Sequence, residues 1–433
     1  MPARAASALD AAWLAGRRWF RSKQRDLVAV ELSDAARLAG EHWLLVLAAR
    51  YADGGEERYL VPAVAGPDGA FREPEDGEGT WLAIVAAMAE GRVADGDGSR
   101  FRFHPVGDVA ELVRSLGPAD EGRLGVEQSN TSVRVGDRLM LKIYRLLESG
   151  ENPELEVSRF LTAAGFRHAP VLHGWAAAEM AGTGATAAML QERVPARGDG
   201  WAWMLGSLAA PPQGPLEALA GMAQIGGITA EMHGALASRP DDPAFPARPA
   251  EADERRAWRD AAERELDAAL AALAAPERSR LAAVRGAVRR RFAALEDDDG
   301  ATLQRIHGDY HLGQLLRTEG GFAVIDFEGE PARPLAERRR PASPLRDVAG
   351  MLRSLDYAVR TAERQGPDGF EHEAWLANAR ATFVGAYGGE AVAHAELLDA
   401  LEAEKACYEV RYEANNRPDW VWLPLEALER MGA

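Results

Sequence analysis

Cysteine is almost absent from the chain. The single thiol, Cys407, allows neither an intramolecular disulfide nor a cysteine-rich zinc site, and this scarcity fits a reducing compartment. We therefore expect Cys407 to be an ordinary packed side chain, because free cysteine is among the residue types that are most often buried.

Long apolar runs and an excess of positive charge are absent as well. No uninterrupted apolar stretch approaches the roughly 20 residues that span a bilayer, and the N-terminus has no basic flank followed by an apolar core. The formal charge of −17 opposes binding to nucleic acid or to an anionic membrane. We expect a cytoplasmic protein that acts on a small molecule and has no nucleic-acid or membrane partner.

The composition is that of a globular protein with more than one core. Hydrophobic residues make up 47% of the 433 residues and charged residues 27%. Within residues 1–100, the strand-like stretches 43–49 and 58–63 are separated by turn-forming residues, which predicts a small, largely antiparallel sheet domain. The Gly/Asp-rich stretch 94–99 is the predicted linker after it.

Residues 101–195 predict a second small unit of the order strand, turn, strand, helix, strand. A turn at Gly136 leads into a strand over 139–144, and the following helix is expected to have Pro153 at its first position. Residues 196–433 have helix-forming composition with apolar residues at helical spacing, and they predict a mainly helical unit. It is interrupted by a short strand near 322–327. The predicted fold class is α+β.

The strongest chemical signal lies in the loop around Asp309 and in the strand that follows it. In phosphoryl transfer to an alcohol, one carboxylate orients the attacking hydroxyl and takes its proton, while other oxygen ligands hold metal ions against the phosphates. Asp309 suits the first role, and Gln314 and Asp326 suit the second. A turn in which an aspartate caps the next helix would explain any one of these residues, but it explains the set poorly.

This segment resembles the catalytic loop and metal-binding strand of aminoglycoside phosphotransferases and choline kinases. The resemblance implies a bilobal, protein-kinase-like fold that uses ATP and Mg²⁺. Those families usually have Asn where this chain has Gln314, a substitution that is familiar in maltokinases. The stretches 327–339 and 343–357 also resemble the maltokinase signature, and the second contains Arg346, which the resemblance places at the sugar.

The resemblance covers most of residues 124–424 and assigns the three predicted units. It implies that residues 1–100 form the N-terminal cap domain of maltokinases, that residues 101–195 form the nucleotide-binding N-lobe, and that residues 196–433 form the C-lobe. The boundaries are expected near residues 100 and 195.

Residues at the start of the N-lobe are candidates for contact with the nucleotide. A polar string precedes the predicted hairpin, at the place where protein kinases hold phosphate, although such strings are more often simple turns: Ser129, Asn130, Thr131 and Ser132. Lys142, in the middle of a strand, is predicted to hold the nucleotide phosphates, with a snorkelling surface lysine as the alternative. Glu156 on the next helix is the predicted partner of this lysine, and Glu154 is the competing one.

A C-terminal string from Tyr408 to Trp420 mixes aromatic rings, amides and carboxylates, a mixture that suits sugar binding. It also resembles the maltokinase segment that closes the acceptor pocket. The candidate sugar contacts in or near this string and the catalytic loop are Glu409, Tyr412, Asn416, Trp420 and His311. An amphipathic helix that ends at Asn416 and Pro418 is compatible with this assignment. His307 is expected to support the catalytic loop by hydrogen bonds.

These residues, with the resemblance, predict transfer of the γ-phosphoryl group of ATP to the anomeric hydroxyl of maltose, which gives maltose 1-phosphate. Trehalose synthase is a possible partner that the resemblance suggests. Two alternatives stay open. The acceptor can be another sugar or an amino sugar such as glucosamine, since Glu409, Glu413 or Asp419 is able to pair with an ammonium group. The chain can also be an inactive, kinase-like module that binds sugar.

Overall fold

The computed structural model describes residues 9–125, 129–180, 182–331, 333–365 and 370–432. The chain divides into two compact units, of which the first comprises Met1–Thr162 and Pro170–Val194 and the second Ala163–Ala169 and Pro195–Ala433. Sheets dominate the first unit and helices the second, so the predicted α+β class is confirmed.

The described part of the first unit contains four helices and eleven strands. The helices are α1 (Ala11–Ala15), α2 (Thr80–Ala89), α3 (Val109–Val113) and α4 (Pro153–Ala164). The strands are β1 (Leu27–Ala39), β2 (His42–Tyr51), β3 (Glu56–Ala65), β4 (Phe71–Arg72), β5 (Val93–Asp95), β6 (Ser99–Pro105), β7 (Glu121–Arg123), β8 (Asn130–Val135), β9 (Leu139–Tyr144), β10 (Leu172–Met180) and β11 (Thr183–Glu192).

Strands β1 to β4 form an antiparallel sheet in the order of the sequence, as the N-terminal pattern predicts. Both faces of this sheet are buried. Leu44 and Val46 of β2 lie in one core, whereas Leu45 and Leu47 lie in the other core together with Trp19. Because successive side chains of a strand point to opposite faces, a sheet that is covered on both sides needs the nearly continuous apolar run that β2 shows.

The other seven strands form a second antiparallel sheet in the order β5-β6-β10-β11-β9-β8-β7. The predicted turn at Gly136 joins β8 to β9, and Gly136 has a φ of 61°, a conformation that favours glycine. The predicted linker over 94–99 is wrong, since this stretch forms the turn between β5 and β6. The boundary proposed near residue 100 falls inside β6.

Helix α4 begins where the sequence predicts, with Pro153 as its first residue. The Asn152 side chain accepts a hydrogen bond from the backbone N–H of Glu154 at 2.8 Å. Asparagine is a preferred capping residue because its carbonyl oxygen satisfies one of the free N–H groups at a helix start, and proline at the next position lacks an N–H to satisfy.

Arg145, directly after β9, ties the two sheets of the first unit together. Its guanidinium is fully buried, donates to Thr131 Oγ1 at 2.8 Å and Glu73 Oε1 at 2.7 Å, and lies 4.7 Å from the ring centroid of Trp19. Its carbonyl oxygen accepts from the N–H of Leu60 in β3 at 2.7 Å. The first sheet is therefore bonded to the chain that leaves the second.

The second unit consists mainly of helices, with two short strand pairs in its described part. The helices are α5 (Gly200–Leu208), α6 (Gln213–Leu236), α7 (Ala252–Ala272), α8 (Ala275–Arg291), α9 (Ala293–Asp297), α10 (Leu335–Arg338), α11 (Leu345–Gln365), α12 (His372–Tyr387), α13 (Gly389–Ala393), α14 (Ala395–Asn416) and α15 (Trp422–Gly432). The strands are β12 (Ala247–Pro249), β13 (Thr302–Gln304), β14 (Leu315–Arg317) and β15 (Phe322–Val324), paired β12 with β13 and β14 with β15.

Helix α11 lies at the centre of the second unit and packs against α12 and α14. Cys407 of α14 is buried with a free thiol, as expected of a packing residue. The strand predicted over 322–327 is shorter than expected, because Asp326 has a φ of 65° and leaves the extended conformation. Within the described ranges, no helix combines the length and the apolar character that crossing a membrane requires.

Replacing Arg145 by Met should destabilise the first unit strongly. Removal of one partner from a buried ion pair typically costs about 3–5 kcal/mol, because the other partner stays buried without compensation. Urea unfolding followed by tryptophan fluorescence measures the change. Arg102→Met is the control, since Arg102 forms an exposed ion pair with Glu179 in the same unit and such pairs contribute little. Equal unfolding midpoints for the two variants would contradict the role of Arg145.

Candidate functional site

Strand β8 offers only one of its two faces to a ligand. Thr131 and Val133 point into the core, whereas Asn130 and Ser132 are half-buried on the opposite face, and Ser132 lies opposite Lys142 in the register with β9. The prediction that Thr131 contacts the nucleotide has to be corrected, because this residue is fully buried and its hydroxyl accepts from Arg145. The strand alternation puts it on the wrong face.

Lys142 forms a short ion pair with the first turn of α4. Its Nζ lies 2.6 Å from Glu154 Oε2, and the hydroxyl of Tyr144 donates to the same oxygen at 2.7 Å. Glu154, which the sequence analysis gave as the alternative to Glu156, therefore forms an ion pair with Lys142. Glu156 is buried two residues further along the same helix.

A buried carboxylate on α11 holds the backbone of the predicted catalytic loop. Asp347 is 2% exposed, and it accepts hydrogen bonds from the N–H groups of His307 at 2.8 Å and Gly308 at 2.9 Å. The Nε2 atom of His233 donates to it at 2.9 Å. Burial alone would raise the pKa of Asp347, but the bonds from His233 and Gly308 outweigh it and keep the pKa below its usual range.

His307 links Asp309 to the segment after β15 that contains Asp326. The His307 ring lies 3.0 Å from the carbonyl oxygen of Ile325 through Nε2, and its Nδ1 accepts from the N–H of Asp309 at 3.3 Å. Both bonds are satisfied by the neutral Nε2–H tautomer. The expectation that His307 supports the loop by hydrogen bonds agrees with this arrangement.

The two predicted metal ligands lie side by side. The Gln314 amide donates from Nε2 to Asp326 Oδ2 at 3.3 Å, and the N–H of Ile325 donates to the carbonyl oxygen of Gln314 at 3.0 Å. A carboxylate oxygen of Glu328, which the sequence analysis did not single out, is within 4.8 Å of one from Asp326. Amide and carboxylate oxygens are ligands that Mg²⁺ prefers, so this group fits a magnesium ion.

Asp326 is the one residue other than glycine with a positive φ in the described ranges. Such a conformation costs free energy in a non-glycine residue and is concentrated at functional sites, where the surrounding contacts hold it in place. The hydrogen bonds of His307 and Gln314 to Ile325 flank Asp326 and provide those contacts.

Asp309 has two basic neighbours in the part of the chain that the structure describes. Lys405 Nζ lies 3.9 Å from Asp309 Oδ1, and His311 Nε2 lies 4.0 Å from Asp309 Oδ2. Burial lowers the pKa of His311, although the charge of Asp309 partly opposes this effect. His311 thus lies beside Asp309, and its contact with the sugar stays a prediction.

Lys405 is the main residue that sequence reasoning missed. It belongs to α14, one turn before Tyr408, and its Nζ also lies 3.2 Å from Glu330 Oε1. The composition offered a reason to consider Lys405. The chain has only three lysines among its 50 lysine and arginine residues, and one of the other two, Lys142, is itself a candidate site residue. An ammonium group is a compact point charge, and the planar guanidinium of arginine does not reproduce its geometry.

Two predicted sugar contacts are instead engaged in ion pairs between helices. Glu409 Oε2 accepts from Arg353 at 2.8 and 3.0 Å, and burial raises the pKa of Glu409 in spite of that partner. Arg346 donates to Glu404 at 2.9 Å, which joins α11 to α14. These side chains contribute to the packing that positions α14 beside the loop.

The end of α14 is more exposed than expected. Tyr412 is 42% exposed and stacks on Tyr408 with 6.2 Å between ring centroids, while Asn416 donates to the carbonyl oxygen of Tyr412 at 2.8 Å. Trp420 lies under the guanidinium of Arg417, 5.3 Å from the ring centroid. In the described structure none of these contacts includes Asp309. The helix ends at Asn416, as predicted.

Sequence comparison places these residues in known families. The sequence model of the phosphotransferase enzyme family (APH) matches residues 122–366, and that of the maltokinase N-terminal cap domain matches residues 13–95. The first match spans more than half of the chain and contains Lys142, Asp309 and Asp326.

Similar proteins match along most of the chain. A glucosamine kinase from Streptacidiphilus jiangxiensis is 33% identical over 388 residues, 85% of this chain and 84% of that protein. A glucosamine kinase from Mycolicibacterium smegmatis is 30% identical over 384 residues, 85% of this chain and 92% of that protein. A solved structure of a glucosamine kinase in complex with glucosamine, ADP and inorganic phosphate has a TM-score of 0.75 and 29% identity, with 93% of each chain covered. The chain therefore belongs to the phosphotransferase enzyme family, as a sugar kinase that carries a maltokinase N-terminal cap domain.

Proposed function

We propose that the protein transfers the γ-phosphoryl group of ATP to a hydroxyl group of glucosamine. The observation that carries this proposal is the similarity to glucosamine kinases, which extends over 85% of the chain in sequence and 93% in structure, and so includes both the cap and the catalytic loop. Within the second unit, Asp309 as a carboxylate suited to act as base, with the adjacent oxygen ligands Gln314 and Asp326, supports the reaction type.

Asp309 is the proposed base. The acceptor hydroxyl gives its proton to the Asp309 carboxylate while its oxygen forms the new bond to phosphorus, and the bond from the γ-phosphorus to the bridging oxygen breaks, with its electron pair leaving on ADP. Asp347 and His307 hold the backbone on which Asp309 is mounted. Most of the rate enhancement in such a reaction comes from positioning and from neutralisation of charge.

In the first unit, Lys142, oriented by Glu154, is the proposed contact for the nucleotide phosphates. Ser129 and the half-buried face of β8 that carries Asn130 and Ser132 are the proposed source of further donors. Gln314 and Asp326 would hold magnesium, which neutralises phosphate charge when it is bound.

Glucosamine carries an ammonium group that a neutral sugar lacks. An acidic residue that is not already paired within the protein would therefore bind glucosamine in preference to a neutral sugar. Of the three acids suggested by the sequence, Glu409 is paired with Arg353 and Glu413 with Arg417. Asp419 is exposed and adjacent to Trp420. We infer that Asp419, rather than the other two, is the C-terminal acid available to an amino sugar, and that Trp420 and Tyr412 offer aromatic faces.

Maltose is the second candidate acceptor, and the observation that favours it is the match to the maltokinase cap domain. In that case the product would be maltose 1-phosphate, formed at the anomeric hydroxyl. The association with a trehalose synthase, which the resemblance to maltokinases suggests, stays a prediction.

A sugar panel tests the choice of acceptor. ADP release is measured with glucosamine, glucose, N-acetylglucosamine and maltose, and the products are identified by ³¹P NMR. Glucosamine should have the highest kcat/KM, about 10- to 100-fold above glucose, because a hydrogen bond to a charged group typically contributes about 1.5–3 kcal/mol. The matched pair of glucosamine and glucose differs only at the amino group. A higher kcat/KM for maltose would contradict the proposal and favour the second candidate.

Asp309→Asn should abolish turnover and leave ATP binding nearly unchanged, because the base acts on the acceptor. A loss of at least about 100-fold in kcat is expected from removal of a general base. Steady-state kinetics and calorimetric titration with ATP measure the two quantities, and Asp299→Asn, an exposed position of the same unit, is the control. Turnover near that of the control would remove Asp309 from its proposed role.

A further inference from the structure

Lys405 projects from α14 to the catalytic loop. Its ammonium nitrogen lies 3.2 Å from Glu330 Oε1 and 3.9 Å from Asp309 Oδ1, and it is 4.5 Å from the ring centroid of Tyr408. Burial would lower the pKa of Lys405, but the carboxylates of Glu330 and Asp309 outweigh this effect and raise it. The side chain is therefore charged at neutral pH.

Glu330 has a second cationic partner besides this ammonium group. Arg333 Nε donates to Glu330 Oε2 at 2.6 Å, and the hydroxyl of Tyr408 donates to the same carboxylate. Lys405, Arg333 and the Tyr408 hydroxyl together lower the pKa of Glu330 to about 2 although burial opposes ionisation. Glu330 thus has two cations beside it, and one of them, Lys405, also lies beside a second anion.

That other anion is Asp309. His311, its second basic neighbour, lies 4.0 Å from Asp309 Oδ2, and its Nδ1 accepts from the N–H of Gly313 at 3.0 Å. Of these two neighbours in the described ranges, Lys405 is the one that brings an ammonium group to Asp309, at 3.9 Å. Glu330 accepts from Lys405 at a distance typical of a hydrogen bond and so fixes where the ammonium group lies.

We propose that Lys405, held by Glu330, is a positioning residue for Asp309: its ammonium group keeps the carboxylate turned toward the acceptor hydroxyl. The proposal deepens the kinase function proposed above and rests on it. Without Lys405, the Asp309 carboxylate would lose its charged neighbour and rotate freely, and misplacement of a catalytic group by about 1 Å is enough to reduce the rate about 100-fold. The residue acts through Asp309 and takes no proton itself.

The alternative is that Lys405 serves only to balance the charge of Glu330 and thereby stabilises the packing of α14. The two roles make opposite predictions for a double substitution. If Lys405 only balances Glu330, then removing both charges restores the enzyme. If Lys405 serves Asp309, then removing Glu330 as well cannot compensate for its loss.

The experiment compares Lys405→Met, Glu330→Gln, the double variant and Lys405→Arg in the full-length protein. Turnover is measured by ADP release with whichever sugar the unsubstituted protein accepts best, and thermal unfolding of each variant is recorded in parallel. Lys23→Met is the matched control, since it also removes one of the three lysines but lies in the first unit.

Lys405→Met should reduce kcat about 100-fold with the KM for ATP changed little, and the double variant should be as slow as Lys405→Met. Lys405→Arg should recover part of the rate, because it restores a positive charge. Recovery of kcat in the double variant, or a kcat for Lys405→Met equal to that of Lys23→Met, would overturn the proposal. If Lys405→Met does not fold, Glu330→Gln and Lys405→Arg are compared with Lys23→Met: both should lower kcat, because each displaces the positive charge from its place beside Asp309, and a kcat equal to that of Lys23→Met for both would overturn the proposal.

The outcome is separable from the choice of acceptor. If maltose proves to be the better substrate, the same variants are compared with maltose and the prediction for Lys405 is unchanged. If no sugar of the panel is phosphorylated, the proposed function fails, and the variants are compared by their basal ATP hydrolysis, where equal rates for Lys405→Met and Lys23→Met overturn the role of Lys405 as well.

Discussion

The catalytic loop depends on one buried carboxylate. Asp347 has no contact with solvent to speak of, and its two oxygens accept from two consecutive backbone N–H groups of the loop and from the His233 ring. An ionised group in an apolar interior is stable only when its oxygens are satisfied in this way. Other conformations of the loop are disfavoured, because they would leave its buried N–H groups without hydrogen-bond partners, which costs free energy. α11 also approaches closely, because a side chain at Gly350 would meet the carbonyl oxygen of Tyr310 at 2.6 Å.

The position of this loop determines the positions of the residues that follow it. The loop backbone sets Asp309, the His307 ring connects the loop to Ile325, and the next residue, Asp326, is thereby held in a left-handed conformation beside Gln314. Reactive groups that are held before the substrate arrives need no reorganisation during the reaction, which is the main way in which proteins accelerate phosphoryl transfer. The ion pairs between α11 and α14 extend the same principle to the other side of Asp309, where α14 brings up Lys405.

The sequence predicted best what depends on neighbours along the chain. Gln314 and Asp326 lie side by side because both belong to one short segment, and capping by Asn152 fixes the start of α4. Prediction from the sequence failed for side chains whose partners depend on which face of a helix or strand meets a residue far away in the chain. Thr131 is on the buried face of its strand, Glu154 rather than Glu156 has the helical phase that meets Lys142, and Glu409 is paired with Arg353 from another helix. Lys405 could not be predicted from spacing, because only the packing of α14 brings it to Asp309.

Asp347→Asn tests the central claim most directly, because it keeps the shape of the side chain while replacing one acceptor oxygen by a donor that faces N–H groups. The account predicts that kcat falls about 100-fold while the KM for ATP changes little, since the loop loses its anchor and the nucleotide contacts do not. Asp356→Asn, a buried aspartate of the same helix that is paired with Arg353 away from the loop, should lose stability but retain far more of its turnover. A kcat for Asp347→Asn equal to that of Asp356→Asn would contradict the account.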